Sequence, residues 1–133
     1  MYKNSLSPRF PKHQGDARTQ TLLGSLHHDG KYIKQNYNKA IKLWQVASEQ
    51  GESNAQYNLG VIYNYARGVK KNNKKAVVLW QKASKQGNIK AQYNLESMYY
   101  YGKDMEQNKI KAYQLWSKAV KKGDADAQFK LPL

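Results

Sequence analysis

The chain has 133 residues, one domain's worth, with 23 Lys and Arg against nine Asp and Glu, a formal charge of +14 and no cysteine. Without cysteine there is no disulfide framework, no thiolate metal site and no cysteine nucleophile. The same absence leans towards a reducing compartment, so the expected location is cytoplasmic, with export lacking a recognisable signal peptide as the alternative.

Residues 1–14, MYKNSLSPRFPKHQ, carry Pro8, Pro11 and three cations with no hydrophobic period, and read as a disordered basic tail or the remnant of a preceding unit. The segment lacks the apolar run of about 7–15 residues that a secretory signal needs, and no later stretch approaches a membrane span.

From Gly15 onward the chain repeats itself. Gly15, Gly51, Gly87 and Gly123 fall at a constant step of 36 residues, and the same step links Gln20, Gln56, Gln92 and Gln128. It also links Leu23, Leu59, Leu95 and Leu131, then Ala40, Ala76 and Ala112, then Trp44, Trp80 and Trp116, and then Ala47, Ala83 and Ala119. A repeat of this length is one supersecondary unit stacked several times. The predicted units are 15–50, 51–86 and 87–122, followed by a partial unit, 123–133, placed to cap the third.

Unit one is the most divergent, with Thr19, Thr21 and His27 where later units have Ala, Tyr and Tyr, as expected of a terminal repeat whose outer face meets water. His27, His28 and the upstream His13 raise the question of a metal. Neighbouring helix residues point about 100° apart, and no Asp or Glu lies three or four residues from His27, so packed or solvated histidines are expected and no metal site.

Unit two has the best pattern. Ala55, Leu59, Ile62, Tyr63 and Ala66 share one face of an α-helix, helix A. A break follows at Ala66-Arg67-Gly68-Val69. Asn72 is then an N-cap candidate, as are Asn36 and Asn108 at the equivalent positions. Ala76, Leu79, Trp80 and Ala83 define helix B, which ends at Gln86, and Gly87 stands where a left-handed C′ residue is expected. In unit three Glu96 replaces Gly24 and Gly60, at a site where a small residue lets helix B approach closely. That substitution is expected to splay the pair, or to lift its carboxylate out toward a lysine, since an unpaired buried carboxylate is costly. The inter-helix loop changes to Gly102-Lys103-Asp104-Met105, with Asp104 a turn residue. In unit four, GDADAQFKLPL, Pro132 sits where a helix cannot comfortably continue.

Helix B is only about 13 residues long, and isolated helices below roughly 12–15 residues are marginal in water. Burying a Trp or Leu side chain contributes on the order of 1.5–3 kcal/mol, against about 1–2 kcal/mol per residue for ordering the backbone. A lone hairpin therefore needs its neighbour to complete a core.

The run A-Q-Y-N-L-G-x-x-Y, then G-V, then K-A-x-x-L-W-x-K-A and a closing Gly is carried by Ala55 to Tyr63, Gly68-Val69, Lys75 to Ala83 and Gly87. It resembles the Sel-1-like repeats, a branch of the tetratricopeptide superfamily, over Gly15 to the C-terminus. The chain departs from that pattern in having one of the two usual loop glycines per unit and Glu96 at a normally glycine site. It is similar to the cysteine-free members, others carrying cysteine pairs within repeats. The resemblance implies an all-α fold, a right-handed α/α superhelix of stacked hairpins whose A helices line a concave surface. It also implies an adaptor or scaffold for protein complexes, in bacteria often tied to envelope processes, signalling or host interaction, and here expected to be a monomer.

If Ala55, Leu59, Ile62 and Tyr63 pack on helix B, the opposite stripe of helix A is Asn54, Tyr57, Val61, Asn64 and Tyr65. Its equivalents are Lys90, Tyr93, Ser97, Tyr100 and Tyr101 in unit three and Arg18, Thr21, Ser25, His28 and Asp29 in unit one. Tyrosine offers a large contact area with few rotors plus a hydroxyl, which suits a protein-binding surface. Tyr57 and Tyr93 also suit core packing between units, because the family prefers an aromatic there; Tyr65, Tyr100 and Tyr101 carry no such requirement. The three tryptophans are expected in the core.

Lysines cluster at Lys70, Lys71, Lys74 and Lys75, at Lys82 and Lys85, and at Lys118, Lys121 and Lys122. Those in the last turn of a B helix complement the helix dipole, worth about 0.3–1 kcal/mol each. The alternative function is a helical array binding nucleic acid or another polyanion, since high positive charge raises salt-dependent affinity for phosphate. Against it, Arg9, Arg18 and Arg67 are the only arginines, and the arginine fork is what favours bidentate phosphate contacts. No paired carboxylates share a face, no Ser-His-Asp set is recognisable and no Gly-rich phosphate loop appears. The expectation is a non-enzyme with no catalytic residues and no cofactor, whose partner is a protein or peptide.

Overall fold

A computed structural model describes residues 14–101 and 108–121. The expected basic tail up to His13, the loop from Gly102 to Met105 and the partial unit 123–133 lie outside the described residues.

Six helices and no strand occur among the described residues. They are α1 (Gln14–Asp29), α2 (Tyr37–Glu49), α3 (Ser53–Tyr65), α4 (Asn73–Lys85), α5 (Ile89–Tyr101) and α6 (Lys109–Lys121). Odd-numbered helices are the A helices and even-numbered ones the B helices. The chain divides into two compact units between Gln56 and Tyr57.

The same local chemistry starts every B helix. Asn36, Asn72 and Asn108 each accept from the backbone N–H three residues on, those of Lys39, Lys75 and Lys111, at 2.9–3.0 Å. Their own N–H groups donate to the carbonyls of His27, Tyr63 and Tyr99 at 2.8–2.9 Å, tying each cap to the preceding A helix. The B helices α2 and α4 end alike. Gly51 N–H donates to Ser48 O and Glu52 N–H to Ala47 O, while Gly87 N–H donates to Ser84 O and Asn88 N–H to Ala83 O. Gly51 and Gly87 take φ of +88° and +89°, the left-handed residue of a Schellman ending.

The starts of α3 and α5 follow at once. Glu52 Oε1 accepts from Ala55 N–H at 3.1 Å, its Oε2 accepts from Asn54 N–H at 3.2 Å, and Asn88 accepts from Ala91 N–H at 2.9 Å. Glu52 is buried, and its charge faces the positive end of α3. In the first unit Thr21 Oγ1 lies 2.6 Å from Glu52 Oε1 and donates to that carboxylate.

The core is built from small and large residues in alternation. Ala40, Ala47, Ala76, Ala83 and Ala112 are fully buried, which lets backbones come close, and Trp44 and Trp80 fill the space beside them. A Cβ at Gly24 or at Gly60 would overlap Nε1 and Cδ1 of Trp44 or Trp80 respectively. With no Cβ there, Trp44 Nε1 donates to Thr21 O at 3.0 Å and Trp80 Nε1 to Tyr57 O at 3.1 Å.

The third hairpin, α5 with α6, departs from this. Glu96 stands at the glycine position and is 6% exposed, so its side chain is buried in the hairpin and not lifted out of it. The tryptophan yields instead: Trp116 is half-buried, its buried Nε1 lacks a hydrogen-bond partner, and its ring stacks on Tyr113 with centroids 5.5 Å apart. At Gly24 and Gly60 the indole takes the space a Cβ would fill, and Glu96 does not leave that space free.

Unit one keeps the repeat's leucine but leaves it open. Leu23 is 41% exposed where Leu59 is 3% and Leu95 is 2% exposed.

Candidate functional site

The stripe expected to turn away from helix B is divided by the structure. In α3 the edge through Tyr57, Gly60 and Asn64 is the one that meets α4: Trp80 bonds to the Tyr57 carbonyl, lies over Gly60, and Asn64 Nδ2 donates to Asn73 Oδ1 at 2.8 Å. Tyr57, Val61 and Asn64 are accordingly half-buried, whereas Asn54 and Tyr65 are exposed, Tyr65 to 66%.

Unit one shows the same correction more strongly. His28 is not on an open face: its ring lies 5.3 Å from that of Tyr37 and 5.4 Å from that of Trp44, and Nδ1 is 3.0 Å from Asp29 Oδ1. Thr21 is buried against Glu52, and Arg18 is exposed. The reason is helical spacing. Thr21 and His28 flank Gly24, and Gly24 is where Trp44 lands. Among the described residues no group of three His, Cys, Asp or Glu side chains is placed to hold a metal ion.

In the second unit, α3 and α5 lie side by side. The Tyr57 hydroxyl is hydrogen-bonded to the Asn94 side chain, and the Lys90 ammonium sits 6.0 Å from the Tyr57 ring centroid. Partial burial pushes the Tyr57 pKa up; the Asn94 bond opposes this and the neighbouring Tyr65 adds to it. Further along α5, Tyr93, Ser97 and Tyr100 are half-buried, Lys90 is exposed and Tyr101 is 65% exposed. Tyr100 and Tyr101 meet edge to face at 4.9 Å, and the Lys109 ammonium lies 5.3 Å from the Tyr100 ring.

Between α3, α4 and α5 runs a groove of about 490 Å³, lined by Asn64, Tyr65, Lys71, Asn73, Trp80, Asn94, Ser97 and Met98. Three sequence-predicted residues, Asn64, Tyr65 and Ser97, meet there, and Tyr57 joins them through Asn94. Asn54, Val61, Lys90, Tyr93, Tyr100 and Tyr101 do not line it, and Arg18 and His28 belong to the other unit. Lys71, Asn73, Asn94 and Met98 were missed. Asn94 had a signal, because Asn58 stands one 36-residue step before it on the same helix edge.

Chemically the groove is polar and two-sided. The carboxamides of Asn64, Asn73 and Asn94 both donate and accept, the Ser97 hydroxyl does the same, and Lys71 adds a cation. Such a set matches a polypeptide backbone, which presents N–H and C=O in alternation.

Comparison with known proteins agrees with the repeat and the helical fold. The Sel1 repeat model matches three times, at residues 17–52, 53–88 and 89–124, the same 36-residue step framed two residues later than the glycines suggested (17 against 15). No curated protein matches the chain. Among solved structures, a Sel1 repeat protein from Oxalobacter formigenes is 30% identical with a TM-score of 0.79 over 86% of this chain and 46% of that one. A protective antigen of uropathogenic Escherichia coli displaying an SLR fold is 32% identical with a TM-score of 0.80, over 86% of this chain and 25% of its own. Helicobacter pylori cysteine-rich protein B, 22% identical with a TM-score of 0.69 over 86% of this chain and 94% of its own, shares the fold. The chain thus spans less than half the length of the first two. Proteins built of these repeats bind other proteins and are typically non-catalytic scaffolds. Hairpins in 36-residue register, asparagine-capped B helices and three consecutive matches lead to one assignment: the chain belongs to the Sel1 repeat family, an all-α helical-repeat solenoid fold.

Proposed function

We propose that the chain is a protein-interaction module that takes an extended peptide segment of its partner along α3 and α5, with the groove at Asn64, Tyr65, Asn94 and Ser97 as the contact centre. The observation that carries this is the convergence of three carboxamides, a hydroxyl and an exposed tyrosine on one groove of about 490 Å³. Carboxamides answer both polarities of a peptide backbone, and the Tyr65 ring supplies apolar area with few rotors to freeze. Lys71 biases the choice toward a segment with an acidic side chain.

Peptides selected from a random display library on the immobilised chain test the reading. Selected sequences should lose about ten-fold or more in affinity for Tyr65→Ala and for Asn94→Ala, while circular dichroism and the urea midpoint show both variants folded. Selected peptides indifferent to both substitutions would place binding elsewhere.

A further inference from the structure

A second concavity in the same unit has a different chemistry. It lies between α4, α5 and α6, has a volume of about 740 Å³, and is lined by Gln81, Ser84, Lys85, Leu95, Tyr99, Lys111, Leu115, Lys118 and Lys121. On α5 it uses Leu95 and Tyr99, a face turned about 100° from the Asn94 and Met98 that line the groove.

Its floor is apolar: Leu95 and the Tyr99 ring are buried and Leu115 is half-buried. Its rim is cationic. Lys85, Lys111, Lys118 and Lys121 are exposed, and no carboxylate is among the described lining residues. Lys85, Lys118 and Lys121 come from the last turns of α4 and α6, and Lys111 stands 4.9 Å from the Tyr99 ring. The Gln81 side-chain N–H is engaged with the Tyr99 hydroxyl at 3.2 Å.

The donor count decides what fits. An ammonium donates three hydrogen bonds and accepts none, so four of them make the rim rich in donors, with side-chain acceptors among the described lining residues limited to Gln81, Ser84 and the Tyr99 hydroxyl. A peptide strand needs acceptors for its N–H groups and is poorly served here. An anionic head group needs only donors, and a hydrocarbon tail needs only the leucine and tyrosine floor. The volume is in the range of about 300–1,000 Å³ usual for small-molecule sites. We infer that this cleft binds a small anionic amphiphile, a single carboxylate-type head on an unbranched apolar chain, taken up as a free monomer.

Titration calorimetry on the full chain with decanoate, decanol and hexanoate tests the assignment. Decanoate is expected to bind at one site, about ten-fold more tightly than decanol for want of the head-group charge, and more tightly than hexanoate for its longer tail. Lys118→Gln with Lys121→Gln should weaken decanoate about ten-fold and leave decanol unchanged, and raised salt should act in the same direction. Leu115→Ala should weaken both ten-carbon ligands. Equal affinity for decanoate and decanol, decanoate binding untouched by the lysine pair, many weak sites in place of one, or binding to anionic vesicles without binding to the monomer would each overturn it.

Discussion

At position 60 the absence of a side chain is what brings the hairpin together, since a Cβ there would overlap the Trp80 ring and disturb its bond to the Tyr57 carbonyl. Gly60→Ala is therefore expected to cost about 1–3 kcal/mol, as overpacking of a closed core does, read as a lower urea midpoint with an unchanged slope. Tyr57 gives a residue-scale prediction in pH. Burial raises its pKa above the ordinary value of 10.0, so the folded chain holds this proton longer than the unfolded one. Its contribution to stability is fully present below that ordinary value and is lost as pH rises through the raised folded value. Tyr57→Phe should flatten part of the alkaline fall in stability and remove a late component from the tyrosinate absorbance of the parent.

Elements here begin and end on a few repeated residues, and these were legible from the sequence. Asn36, Asn72 and Asn108 cap as the spacing predicts, and Gly87 takes the left-handed conformation expected of it. The caps of α3 and α5 were also written at the 36-residue step, as Glu52 and Asn88, yet hydrophobic period alone does not draw the eye to them. Face assignment was the part that period could not settle. Leu59 and Ile62 mark a buried face of α3, but a repeat helix is covered on more than one side, and Gly60 marked the side that meets α4. The glycine reads as the place where helix B comes close, and carrying that reading round the helix would have moved His28 and Thr21 off the expected binding stripe. Loop chemistry supplies the element-scale test. Ala66 sits at φ +57°, where unit one has Gly30 at +67°. An L-residue there costs about 1–2 kcal/mol, so Ala66→Gly should stabilise the chain by about 1 kcal/mol net of added freedom in the unfolded state, whereas Asn72→Ala should destabilise it by a similar amount. Thermal unfolding of the two variants against the parent checks both signs.

For the molecule as a whole, a charge of +14 carried mainly by lysine attracts polyanions without selecting among them. Binding to duplex DNA or RNA in a filter assay is expected at low salt and should fall steeply, disappearing near physiological ionic strength. Retention there, with preference for one sequence, would favour the nucleic-acid reading over the peptide groove. Among the described residues no helix is long and apolar enough to cross a membrane. The buried Glu96 has a practical consequence for such experiments. Three indoles in one chain ordinarily emit as an unresolved mixture, yet here two hold their N–H against a carbonyl and Trp116 does not. The hairpin beside the lysine-rimmed cleft thus carries an intrinsic optical label. A ligand arriving next to Leu115 should change the emission of that one fluorophore, making occupancy readable by eye of a spectrometer with no dye attached.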